Sequence, residues 1–408
     1  PGHRIFSTQL GFEALPTRGA LRVEMTSLSG SLLPVSGFTQ GAVVDAERSR
    51  GHGVRISSAS FGQRVRADAG VALSRFELRP DASLGDLDSL VQSPRETRRA
   101  RYLDVTADVL RWSVRDGAIG SFAVGYAHER VDPLYRSAGA YVQSDRTQDR
   151  VNARLAIGAL SLGAHHQSGH NNLDDVPSIL TTETHRSGGD LSLPLAFLLG
   201  TTSRWLPNVG MQFGRTYQRG RSLPTAGGFD PSHVPDQLSQ DATISLVWQG
   251  TRGSFTLHGN RSSQDNRQPG RERADLHAST LGAQTLTTLH RHLAVSSDVT
   301  WSTSHSMERD EAEHTTRFAI APTLNPAGPL TLQLQYAATA MRSDARSRRD
   351  DTQLSAQLAA PLPRPLARLG NWFLRYARQA NDASDPRIAL TQRLRHWTVD
   401  GGLTMSLR

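Results

Sequence analysis

Four scarcities narrow the possibilities before any pattern is read. Cysteine is absent, which removes disulfide frameworks, thiol catalysis and cysteine-based metal sites. Lysine is absent too, so all 46 basic residues are arginine. Aromatic residues make up only 6% of the chain. No apolar run approaches the roughly 18 residues that a membrane helix requires, and mean hydropathy is −0.43, so helical spanning is excluded. A strand-built membrane protein is not excluded, because alternating side chains hide an apolar face from any average.

What is present is a two-residue beat running through the 408 residues. Leu330, Leu332, Leu334, Tyr336, Ala338 and Ala340 alternate with Thr331, Gln333, Gln335, Ala337 and Thr339. Leu103, Val105, Ala107 and Val109 alternate with Asp104, Thr106 and Asp108, and Phe122, Val124 and Tyr126 with Ser121, Ala123 and Gly125. Ala242, Ile244, Leu246 and Trp248 do the same, as do Trp372, Leu374 and Tyr376, and finally Trp397, Val399, Leu403 and Met405. That is the side-chain period of a β-strand, and it cannot be laid on one helix face. Disordered chains lack such sustained alternation.

The breaks between segments come in two kinds. Tight connections are read at Pro16-Thr17-Arg18-Gly19, Phe61-Gly62, Asp116-Gly117, Gly158-Ala159, Gly250 to Gly253, Arg291-His292 and Asn325 to Gly328, where Gly, Asp or Asn usually supplies the positive φ of a hairpin. Long polar connections are read at Pro80 to Thr97, Asp132 to Asp145, Ser168 to Thr182, Gly220 to Ser239, Ser263 to Arg273, Ser306 to His314 and Arg342 to Asp351. Further turns are inferred near Leu199 to Pro207, Pro361 to Gly370 and Arg395-His396. The alternation of tight turn and long charged loop predicts an all-β fold: an antiparallel, up-and-down transmembrane β-barrel of about 20 strands. No composition shift divides the chain, so residues 1–408 are expected to form one barrel domain. A start at Pro1-Gly2-His3 is expected of a trimmed precursor or of a piece of a longer polypeptide.

One stretch carries a resemblance. It reads Tyr126-Ala-His-Glu-Arg130-Val131-Asp132-Pro133-Leu-Tyr135-Arg-Ser137-Ala-Gly139-Ala140-Tyr141, then Asn172-Leu173-Asp174, then Arg186-Ser187 and Leu191 to Pro194. This resembles part of the large translocon barrel of the type IX secretion system and related outer-membrane barrels. The resemblance covers residues 120–195 and implies a wide outer-membrane conduit.

Chemistry-bearing groups are weighed against plainer roles. His165, His166 and His170 are the densest histidines, but no carboxylate sits at ligand spacing before Asp174, and they read as polar loop-proximal residues. Alternation puts His128 and Glu129 on opposite faces, against an acid–histidine catalytic pair. Gly51-His52-Gly53 and Gly227-Gly228 read as loop glycines, since no helix follows to hold a phosphate. Glu308, Asp310, Glu311 and Glu313, and the run Arg346 to Asp351, read as solvated loop charge able to meet Ca²⁺ or lipid phosphates.

The strongest functional signal lies on the polar alternate positions. Arg64, Arg66, Asp68, Asp104, Asp108, Asp298, Arg317, Arg375, Arg393 and Arg395 are expected to face a lumen, where charge sets selectivity. The competing role is cross-strand pairing that holds the wall in register. A formal charge of +8 fits anionic lipid or an anionic solute better than nucleic acid, because the arginines form no stripe with interleaved aromatics. The expected function is therefore a bacterial outer-membrane conduit, porin-like or an export channel, and not an enzyme. No metal, catalytic residue or cofactor is implied. Expected partners are outer-membrane lipid, lipopolysaccharide, and periplasmic or lipoprotein subunits that fill or cap the bore. The alternative is a structural barrel that sheaths a partner and transports nothing.

Overall fold

The computed structural model describes residues 3–14, 20–32, 46–79, 96–114, 117–136, 143–222, 224, 230, 234–325, 330–362 and 370–405. Among these, 19 antiparallel strands follow one another up and down in one sheet. They are β1 (His3–Ala14), β2 (Leu21–Leu32), β3 (Ala46–Ser60), β4 (Val65–Arg79), β5 (Glu96–Ser113), β6 (Ile119–Val131), β7 (Arg146–Ile157), β8 (Leu160–Asn171), β9 (Thr181–Pro194) and β10 (Asn208–Ser222). There follow β11 (Asp236–Gly250), β12 (Gly253–Asn266), β13 (Leu276–His290), β14 (Leu293–Ser306), β15 (Glu311–Leu324), β16 (Thr331–Ser343), β17 (Arg348–Pro361), β18 (Gly370–Asp385) and β19 (Leu390–Met405). The one α-helical turn described is α1 (Leu195–Leu198), and no described helix is long and apolar enough to cross a membrane.

Residues cluster into two units: 1–189 with 216–237, and 190–215 with 238–408. In the first, β1 to β8 pair in unbroken sequence, and every cross-strand partner shares a face with its neighbour. One face carries Leu10, Phe12, Val23, Met25, Val54, Ile56, Val71, Leu73, Leu103, Val124, Tyr126, Val151 and Leu162. The other carries Glu24, Arg55, Asp68, Tyr102, Asp104, Glu129, Arg146 and Arg150. The hairpin between β3 and β4 closes through Phe61, Gly62 and Gln63, all at positive φ, as the alternation of tight turns requires. Gly70 is needed for a different reason: the Tyr102 ring lies over it so closely that any Cβ would collide with the ring.

In the second unit, β12 to β19 pair in the same manner. Trp301, Val299, Phe318, Ile320, Tyr336, Leu354, Leu374, Tyr376, Val399 and Leu403 share one face. Asp298, Arg317, Gln333, Gln353, Gln357, Arg375, Gln379 and Asp400 share the other.

Burial is inverted relative to a protein with an internal core. Phe6, Leu10 and Phe12 are 73%, 70% and 68% exposed, and Trp397 is 66% exposed. Among the described hydrophobic residues only Val131, Tyr135, Leu238 and Leu362 are buried, whereas Glu24, Ser49, Ser74, Asn172, Thr181 and Asn266 are buried polar groups. A stacked sandwich would hide the apolar rows between layers. Here the rows stand uncovered.

Several sequence expectations need correction. No turn occurs at Arg395-His396: β19 runs continuously from Leu390 to Met405, and the chain reverses instead at Pro386 to Ala389, where Asp385 caps a short 3₁₀ turn. That removes one strand and gives 19. The long connections expected at Ser306 to His314 and Arg342 to Asp351 are four-residue turns at 307–310 and 344–347, because Glu311, Glu313 and Arg348 to Asp351 belong to strands. Gly51 and Gly53 lie inside β3, not in a loop. The turns at residues 16–19 and 326–328, most of the connection from Pro80 to Thr97, Ser137 to Tyr141, and Gly227-Gly228 fall outside the described residues.

Candidate functional site

The site is built on the polar face of the first unit. Alternation of β2, β3, β4 and β5 places Arg22, Glu24, Arg55, Asp68 and Tyr102 on one face, in neighbouring registers. Glu24 is the hub. It accepts from Gln9 Nε2 at 3.2 Å, is in tight contact with Arg22, and lies 3.5 Å from Arg55 Nη1. Arg55 also donates through Nε to both Asp68 oxygens at 3.1 and 3.0 Å, while the Tyr102 hydroxyl donates to Asp68 at 2.8 Å. The result is a charge ladder across five strands, from Gln9 on β1 to Tyr102 on β5, in which the carboxylate with least access to water has cations on both sides. Farther along the same face, Arg146 donates to Glu129 at 3.0 Å.

A loop folds over one end of this face. Ser74, almost fully buried, donates its hydroxyl to the Arg136 carbonyl, and the Arg136 guanidinium sits 4.6 Å above the Phe76 ring. Residues 132–136 thus lie across the end of β4. The loop is held at its root by Asp132, whose carbonyl accepts from the Tyr135 and Asp145 amides and whose carboxylate accepts from the Arg99 amide at 3.2 Å. Burial raises the Tyr135 hydroxyl above the usual phenol range. The next loop is tied to this one, since Asp145 accepts from the Leu173 amide at 2.8 Å. Asn172, buried, donates to the Val176 and Ile179 carbonyls and to Thr181, and accepts from the Val176 amide. The Asp-Pro-x-Tyr and Asn-Leu-Asp pieces that carry the family resemblance therefore work in this chain as loop scaffolding.

The ten charged residues singled out by sequence do not behave as one set. Arg66, Asp68, Asp104 and Asp108 lie on the polar face of the first unit, and Asp298, Arg317 and Arg375 on the polar face of the second. Arg64 lies in the turn before β4, not on a strand. Arg393 and Arg395 fall on the apolar face, in one row with Trp397 and Val399 and opposite Asp382 and Ala380, because the uninterrupted β19 fixes their parity. Pairing takes some of the ten: Asp68 with Arg55, Asp108 with Arg111, and Arg395 with Asp382 at 2.9 Å. Arg64, Arg66, Asp104, Arg317 and Arg375 are exposed and make no ion pair among the described residues. Sequence reasoning missed Arg22, Glu24, Arg55 and Tyr102, although the Arg-x-Glu spacing of Arg22 and Glu24 signals two charges on one strand face.

Other candidate chemistry disperses. His165 and His166 point to opposite faces of β8, and His166 Nδ1 lies 2.8 Å from the Ser187 hydroxyl. His128 stands on the apolar face with Nδ1 2.9 Å from Asp149, while Glu129 stands on the polar face. The cluster at 308–313 splits: Glu308 and Asp310 are in a turn, while Glu311 reaches Ser343 and Arg387. Among the described residues no group of three or more acidic or imidazole side chains is placed to hold a metal.

No protein-family model matches the chain. No curated protein sequence matches it either. Among solved structures, the copper transporter OprC is similar over 97% of this chain and 79% of that chain, with a TM-score of 0.41 and 9% sequence identity.

Proposed function

We propose that the chain is a bacterial outer-membrane β-barrel whose polar face lines a wide aqueous conduit, porin-like or serving export, and that it moves its cargo without covalent chemistry. The carrying observation is the inverted burial: contiguous apolar rows stand exposed on one face, while on the other the Glu24 carboxylate is buried between Arg22 and Arg55. Exposed apolar surface on this scale marks contact with something other than water. On β4 the apolar row from Val65 to Leu73 extends about 27 Å along the strand, which at a ~40° tilt is about 20 Å along a membrane normal, close to the ~25 Å band of outer-membrane barrels. Barrels of about 16 to 18 strands already enclose a channel. Nineteen strands need something to narrow the bore, and the loop at residues 132–136 that crosses the end of the polar face supports a loop-based constriction.

Two measurements test this reading. The refolded chain should float with lipid vesicles in a density gradient and then give single-channel currents in a planar bilayer. Replacing residues 133–144 by a short Gly-Ser linker should raise the conductance. A chain that stays in solution without detergent ends the membrane reading. A chain that inserts but stays silent in both forms supports the sheath that encloses a partner.

A further inference from the structure

The apolar face of the first unit carries something its role as a lipid-facing wall does not need. At the ends of β3 to β6 nearest the loop at 132–145, that face turns strongly basic: Arg50, Arg75, Arg99, Arg101 and Arg130, with His52 and His128 beside them. Two of the contacts are unfavourable as they stand. Arg50 lies directly opposite Arg75, and Arg101 directly opposite Arg130. Like charges in direct cross-strand register repel. Relief from the described side chains is slight. Asp132 lies 3.7 Å from Arg99 and 3.9 Å from Arg130, and Asp149 is engaged by Tyr126 and His128. Arg50, Arg75 and Arg101 are exposed and make no ion pair among the described residues.

Below Arg101 the same face is hollowed. A groove of about 480 Å³ runs between β3, β4, β5 and β6, lined by Val54, Ile56, Ala69, Val71 and Leu103, with Arg101 and His128 in its wall. The small side chain of Ala69, between Ile56 and Leu103 on this face, leaves the room. Its chemistry is that of an acyl chain capped by an anion.

We propose that this groove and its arginine rim bind one diphosphorylated, acylated glycolipid of the outer leaflet, with a chain along the groove and its phosphates on the Arg101/Arg130 and Arg50/Arg75 pairs. The inference rests on the membrane reading above. Through the β4–β5 register, Val71 faces Arg101, so the two pairs are offset by the four residues from Val71 to Arg75. That is about 13 Å along the strand and about 10 Å across it, within reach of a single disaccharide headgroup carrying a phosphate at each end. Arginine is suited to the task, since its fork meets phosphate oxygens two at a time and loses less hydration than an ammonium.

The test uses the full chain in nanodiscs of phosphatidylethanolamine, titrated with diphosphoryl lipid A, monophosphoryl lipid A, phosphatidylglycerol or inorganic phosphate, and read by native mass spectrometry. Diphosphoryl lipid A should bind best, with monophosphoryl lipid A about tenfold weaker, consistent with loss of one charge-assisted contact set. Phosphatidylglycerol and inorganic phosphate should not compete. Arg101→Gln, and separately Ala69→Phe to fill the groove, should each weaken binding about tenfold, while Arg342→Gln in the second unit leaves it unchanged. Equal binding of all four probes, or variants that bind like the parent, overturns the proposal. Vesicle flotation separates the two failures: a chain that floats but shows no preference loses only the lipid site, whereas one that fails to float loses the membrane reading itself.

Discussion

The apolar faces of the two units end differently. In the first, Arg50, Arg75 and Arg101 at the basic end make no ion pair among the described residues. In the second, the corresponding loop-proximal ends of β16 to β19 are interleaved with acid. Arg342 and Arg348 both meet Asp350, at 2.7 and 2.6 Å, and Arg395 and Arg393 both meet Asp382, at 2.9 and 4.0 Å. Connections differ in step. Those after β2, β4, β6 and β10 exceed ten residues, while those after β14, β16 and β18 are only four residues long. In the second unit the described side chains supply their own counter-charge; in the first, the proposed lipid phosphates would supply it.

The comparison can be broken most severely at the middle of the apolar faces. Ala69→Arg, at the centre of the Val65 to Leu73 row and between Ile56 and Leu103, should cost about 2–4 kcal/mol in a bilayer, as a cation at the membrane midplane does. Urea unfolding in lipid vesicles reads this, and an effect as small as that of a surface substitution in water would argue against lipid contact. Next in size is the loop scaffold. Asn172→Ala removes a buried amide that makes four hydrogen bonds and should destabilise by about 1–3 kcal/mol, with hydrogen exchange faster at the Val176 and Leu173 amides and unchanged in β14. Uniform exchange changes would contradict a local role.

Smaller effects sharpen the contrast between units. Asp382→Asn should change stability little, because its arginine partners are about half or more exposed and water screens the pairs. It should nevertheless create a second uncompensated arginine pair, so that diphosphoryl lipid binding rises in stoichiometry. Unchanged stoichiometry would mean that bare arginine charge is insufficient and that the groove decides. The smallest effect concerns Glu272, between β12 and β13. Its own amide and that of Gly270 donate to it and hold its carboxyl below the ordinary range. A lowered folded value stabilises above the unfolded pKa and is lost as pH falls through the folded one, so the Gly270 amide shift should titrate below about 4.3. A midpoint at or above that value would remove the hydrogen bonds from the account.

How much of this was legible in the residues varies by element. The strands at Leu103 to Val109, Phe122 to Tyr126 and Leu330 to Ala340 could be read with their faces, because a period of two survives any tertiary context. Within β19, Gly401 and Gly402 interrupt the apolar beat, and Arg393 and Arg395 mimic a polar face; only the register against β18 fixes their parity. Charge-rich runs such as Glu311 to His314 and Arg348 to Asp351 look like loops by composition, yet Asp350 meets Arg342 on the neighbouring strand and Arg348 on its own, Asp351 meets Arg349, and Glu311 meets Arg387, and that pairing lets them remain extended.

By itself the sequence determined that this protein is made of antiparallel strands with one oily and one ionic face, since alternation and turn residues act within a few positions along the chain. Only the tertiary structure decided which charges meet. Whether Glu24 sits between Arg22 and Arg55, or Arg101 stands against Arg130, depends on the stagger of neighbouring strands, and a shift of one residue would exchange every partner and every face.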